Sequence, residues 1–106
     1  MQIPLQVSFL GMPRSAALDA RIEERARHLE RFHPRITSCR VVVEQSARHQ
    51  RQGREYAVRV EIRAPGHVGI AATGKHDEDV YVALRDAFEA TERQLDEAIR
   101  ERRDVV

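Results

Sequence analysis

YAVRVEIRAPGHVGIAATG, residues 56–74, decides the fold. Tyr56, Val58, Val60 and Ile62 fall on one side of an extended chain, and Ala57, Arg59, Glu61 and Arg63 on the other. Alternation with a period of two marks a strand with one buried and one solvated face. Pro65-Gly66 is a turn signal. Val68, Ile70 and Ala72 resume the alternation as a short strand, which Gly74 is expected to end. A link this short makes the two strands antiparallel neighbours.

The same reading extends upstream. In CRVVVEQ (39–45), Cys39, Val41 and Val43 face one way and Arg40, Val42 and Glu44 the other, which predicts a strand over about 37–45. The polar loop SARHQRQGRE (46–55) follows, with Arg48, His49, Arg51 and Arg54 close together. Near the N-terminus Ile3, Leu5, Val7 and Phe9 alternate with polar residues, and Pro4, which lacks a ladder donor, implies either a strand at a sheet edge or a proline that points out of the ladder. Between these strands Leu18, Ile22, Ala26, Leu29 and Phe32 recur at helical spacing. Ser15 is the expected N-cap, and His33-Pro34 closes a helix over about 15–33. Downstream, Val80, Leu84, Ala87, Phe88, Thr91, Leu95 and Ile99 form one apolar stripe, predicting a helix from about Glu78 to Arg102. Asp77, Glu78 and Asp79 at its start and Arg100, Arg102 and Arg103 at its end complement the helix dipole.

The order is therefore β-α-β-β-β-α. A strand, a helix and a strand in succession favour a parallel pair, and the remaining links are hairpin-like. The expected fold is α+β: a two-layer sandwich of a four-stranded mixed sheet with both helices on one face. With 106 residues, 42% of them apolar, residues 1–106 are expected to form a single domain.

Eighteen Lys and Arg against 17 Asp and Glu leave a net charge of +1, which hides a division. Residues 1–75 carry +6 and residues 76–106 carry −5. No apolar run approaches the roughly 20 residues of a membrane helix, so no membrane partner is expected. MQIPLQVSFL has no signal-peptide pattern, and a lone cysteine suits a reducing, cytoplasmic compartment.

No active site can be assembled from the motifs. The five histidines lack metal-ligand spacing; His28 and His33 would sit about 140° apart on a helix. Cys39 alternates with core positions and reads as a small buried residue. Gly66-His67-Val68-Gly69 spells an RNA-clamping loop but follows a hairpin turn rather than joining two helices. No phosphate-binding glycine loop and no nucleophile elbow is present. Neither an enzyme, a cofactor, a metal nor a small-molecule substrate is expected.

Arginine is the remaining signal. On the first helix Arg14, Arg21, Arg25 and His28 project from one flank, with Arg31 behind them, and Asp19, Glu23 and Glu30 from the other. A solvated helix with pairs such as Glu23–Arg27 explains this sorting. So does a basic ridge that meets phosphate. With few aromatics, shape-directed contact with folded RNA fits better than stacking along a single strand.

Three stretches together resemble one family: SAALDARIEERARHLERFHPRIT (15–37), VVVE (41–44) and ATGKHDEDVYVALRDAFEATERQL (72–95). The chain resembles the bacterial ribosome hibernation-promoting factor and ribosome-associated inhibitor family, also called sigma-54 modulation proteins, in its short form. The resemblance implies a fold similar to double-stranded RNA-binding domains. It also implies binding to the small ribosomal subunit and its rRNA, in the channel of mRNA and tRNA, with translation silenced under stress or in stationary phase. Carried over by position, it implies rRNA contacts from Arg25 and His28, from Lys75 of the Gly-Lys pair, and from Arg93 of Arg-Gln-Leu. Arg21 and Arg31 join them from the ridge, and Tyr81 matches a family tyrosine. The chain departs from the pattern in its second helix, where Ala90 and Glu97 replace common lysines and residues 78–103 carry −3. The alternative is a divergent paralogue that acts as a protein-interaction module without rRNA binding.

Overall fold

The computed structural model describes residues 4–47, 54–65, 67–76 and 78–104. Its elements are β1 (Leu5–Leu10), α1 (Ala16–Phe32), β2 (Ser38–Ala47), β3 (Arg54–Ala64), β4 (His67–His76) and α2 (Val80–Asp104). Ile3, the loop residues Arg48, His49, Arg51 and Gly53, and also Gly66 and Asp77, lie outside the described residues.

The four strands form one sheet in the order β1-β2-β3-β4. β1 runs parallel to β2, with Leu5 opposite Cys39, Val7 opposite Val41 and Phe9 opposite Val43. The other two pairs are antiparallel. β1 is an edge strand, the first of the two placements Pro4 allows, and the Pro4 carbonyl accepts the first bridging bond from the Cys39 N–H at 3.0 Å. Val41, Val43, Val58, Val60 and Ile62 point to one face and are buried with Ile22, Leu29, Leu84, Phe88 and Leu95 of the helices. Arg40, Glu44, Arg59 and Arg63 are exposed on the other face. The fold is the two-layer α+β arrangement that the alternation predicts.

Ser15 caps α1, its hydroxyl accepting from the Leu18 N–H at 3.2 Å. The α1 stripe is Leu18, Ile22, Ala26 and Leu29. Phe32, the next residue of the predicted stripe, is instead 65% exposed. α1 reaches the core through Ile22, Ala26 and Leu29, whereas α2 meets β4 at Ala83 and Ala87 and lies close upon it. Thr91 is fully buried within the α2 stripe, and its hydroxyl donates to the Ala87 carbonyl at 2.8 Å. That bond removes the cost of burying a hydroxyl among apolar neighbours.

Several boundaries differ from the sequence reading: β2 runs on to Ala47 and β3 starts at Arg54, both within the stretch read as a loop, and α2 runs on to Asp104. β4 continues through Gly74 to His76. Gly74 is buried, and a Cβ there would overlap the Ala83 carbonyl oxygen and lie 2.7 Å from the Ala87 nitrogen. This glycine admits the α2 backbone to the sheet instead of ending a strand. α2 begins at Val80, two residues later than predicted: the His76 imidazole takes up the N–H groups just before it, and Asp79 takes up one in its first turn. His76 Nδ1 accepts from the N–H groups of Glu78 and Asp79, at 3.1 and 2.9 Å, and Asp79 Oδ1 accepts from Tyr81 at 2.9 Å. Such bonds satisfy the free donors of a helix start.

Cys39 is buried, and burial pushes its thiol up from 9.0 to about 11. The folded chain keeps a proton that the unfolded chain releases, so stability is lost as pH rises from 9 through 11. The full loss is about 3 kcal/mol. Cys39→Ala is expected to lose less stability than the parent over that interval in urea titrations. Equal losses would contradict the assignment. No helix among the described residues is long and apolar enough to cross a membrane.

Candidate nucleic-acid interface

The two helices run parallel, since their contacts advance together along both. The Arg21 guanidinium lies 5.6 Å from the centre of the Tyr81 ring, Arg25 lies 5.7 Å from Phe88, and His33 Nε2 lies 3.5 Å from Asp96 Oδ1. The flank of α1 that carries Arg21, Arg25 and His28 is therefore the flank turned towards α2.

Between the helices lies a groove of about 300 Å³ lined by Arg21, Arg25, Tyr81, Val82, Leu84 and Arg85. Three guanidiniums share it. Arg21 and Arg25 are held over aromatic faces, an attraction between cation and ring that also fixes the long side chains. Arg25 is half-buried, and its Nε finds no acceptor. Arg85 is shared with Asp86, whose Oδ1 accepts from its Nε at 3.3 Å and its Nη2 at 3.2 Å. One acidic atom also lacks a partner: Glu92 Oε1, buried on the next turn of α2 after Phe88. The guanidiniums of Arg21, Arg25 and Arg85 along one groove suit a phosphate, whose oxygens accept from several N–H groups at once.

Further along α1, a shallow depression is lined by Glu24, Arg25, Arg27, His28 and Arg31. Arg31 is exposed towards solvent and also lies in the last turn of α1, where a cation complements the dipole. Arg21, Arg25, His28 and Arg31 are thus gathered on one helix. Lys75 and Arg93 are not with them. Lys75 lies on β4 opposite Ala57, one residue out of phase with buried Gly74, and so projects from the open face of the sheet. Arg93 is exposed on α2, about 140° around the helix from Phe88.

Arg14 leaves the ridge altogether. It precedes α1, and its guanidinium makes two bonds to Asp19, at 2.9 and 3.1 Å, and one to the Val7 carbonyl at 3.3 Å. Its cation is neutralised beside β1. On the open sheet face, Arg40 and Arg59 both approach Glu61, at 3.9 and 3.0 Å, so part of that face is internally compensated. Arg85 is the groove residue that sequence reasoning missed. Its signal was its position four residues after Tyr81, on the same flank of α2. Among the described residues no group of three or more His, Cys, Asp or Glu could hold a metal ion.

Residues 5–103 match the family described as sigma 54 modulation protein / S30EA ribosomal protein. The chain therefore belongs to that family, which is one of ribosome-associated proteins and not of enzymes. Among solved structures, it is similar to a ribosomal subunit interface protein from Coxiella burnetii, with a TM-score of 0.75 and 18% identity over 91% of this chain and 97% of that one. It is also similar to the N-terminal domain of Protein Y from Thermus thermophilus, with a TM-score of 0.63 and 18% identity over 89% and 94% of the two chains. No curated protein matches the chain. At this identity the two likenesses speak for the fold.

Proposed function

We propose that this protein, acting as a single domain, binds the small ribosomal subunit through its rRNA. There it occupies the channel of mRNA and tRNA, and it silences translation in the cytoplasm under stress or in stationary phase. It needs no cofactor and catalyses nothing. The observation that carries this reading is the groove between α1 and α2, which brings Arg21, Arg25 and Arg85 together. In this reading these arginines, with His28 and Arg31, contact rRNA phosphates. Lys75 and Arg93 project from other surfaces, which suits a domain enclosed by a channel and touched on several sides. A domain lying on one flat duplex would not use them.

Three or four phosphate contacts give a log–log salt slope of about −3. Co-sedimentation with purified small subunits is expected to fall about 30-fold for each threefold rise in salt. Binding that ignores salt would contradict phosphate-led contact. The exposed carboxylates of α2 (Glu89, Asp96, Glu97 and Glu101) favour the second reading, a basic protein partner. Capture of one discrete protein from stationary-phase lysate, without rRNA, would establish that reading instead.

A further inference from the structure

Four of the five aromatic rings have a place in the fold. Phe88 is buried, and Phe9 lies beneath the Arg14 guanidinium at 5.3 Å. Tyr56 is half-buried, with its hydroxyl accepting from Gln45 Nε2 at 3.1 Å. Tyr81 carries Arg21. Phe32, the last residue of α1, is different. It is 65% exposed, and its ring touches that of His28, with centroids 4.9 Å apart and planes tilted by 59°. His28 braces one side of the phenyl ring and leaves most of it open to solvent.

The surroundings say what would cover it. His28, which touches Phe32, also lines a depression with Arg25, Arg27 and Arg31, where Glu24 is the one lining carboxylate. A planar apolar ring at the margin of a cationic depression matches a nucleotide, whose base stacks while its phosphates meet guanidiniums. A paired base hides both faces within its duplex, so the base must be unpaired. An apolar protein surface would leave the arginines beside it desolvated and without partners.

We propose that Phe32, braced by His28, is a stacking platform for one unpaired base of the bound RNA, with Arg25, Arg27 and Arg31 on the flanking phosphates. This rests on the rRNA reading above and adds to it a contact that depends on the face of a base and not on charge.

The chain contains no tryptophan, so Phe32→Trp introduces a single indole at the platform. On titration with purified small subunits, and separately with a short single-stranded RNA, its emission is expected to be quenched. Phe32→Leu is expected to weaken subunit binding about tenfold with the melting temperature unchanged, and Phe32→Tyr to restore it. If Phe32→Leu binds like the parent, or the indole stays unquenched in the bound state while Arg21→Ala with Arg85→Ala still weakens binding, the platform is wrong and the rRNA reading stands. If the parent binds neither subunits nor RNA, both fail. A dimer that depends on Phe32 and is insensitive to RNA assigns the ring to a second copy and overturns the proposal.

Discussion

Arg21→Glu combined with Arg25→Glu is expected to abolish co-sedimentation with small subunits at moderate salt. The pair removes two cations from the groove and adds two anions. A hydrogen bond to a charged group is worth about 1.5–3 kcal/mol, so losing two such contacts weakens binding by 100-fold or more before repulsion is counted. Arg25 is half-buried and packs over Phe88, so a carboxylate there also disturbs the seam between the helices. Arg21 and Arg85 are exposed, and Arg21→Ala with Arg85→Ala separates the two effects. That variant is expected to melt with the parent and to bind at least tenfold more weakly. Undiminished sedimentation of both variants would remove the groove from the account of binding.

Gly74→Ala is expected to destabilise the protein by about 3 kcal/mol, at the upper end of what overpacking costs in a close-packed core. A single methyl group has this effect because the atoms it meets are helix backbone, the Ala83 carbonyl and the Ala87 nitrogen, and not the end of a side chain that could turn aside. α2 would have to lift from β4 and loosen Phe88 and Leu84 with it. For a domain of this size the melting temperature falls by about 10–20 °C. Gly74→Val is expected not to fold at 37 °C. Circular dichroism melts check both, and a Gly74→Ala protein that melts within 3 °C of the parent would mean that the helix does not sit where the contacts place it.

The alternation of Tyr56, Val58, Val60 and Ile62, and the helical spacing from Leu18 to Leu29, carried the fold because each pattern has one face to bury. Gly74 was misread for a physical reason. A glycine that stops a strand and a glycine that admits a neighbouring backbone look the same in one dimension. Had β4 been carried past Gly74, the same alternation would have put Lys75 on the open face, away from α1. Arg14 was misplaced because its partner Asp19 draws it back across the start of the helix, and helical geometry does not apply to a residue outside the helix. Arg21 and Arg25 were legible as a flank, but the aromatic rings beneath them belong to α2. No spacing within α1 reports on the distance to Tyr81 or Phe88.

The helix that supplies Phe88 is also the last of the six elements to be synthesised. β2, β3 and β4 pair as a meander, and β1 can join once β2 has formed. Until α2 emerges, Val58, Val60 and Ile62 of that meander face water. Between the synthesis of β4 and that of α2, a nascent chain therefore carries an uncovered greasy sheet face, open to wrong partners until the helix closes over it.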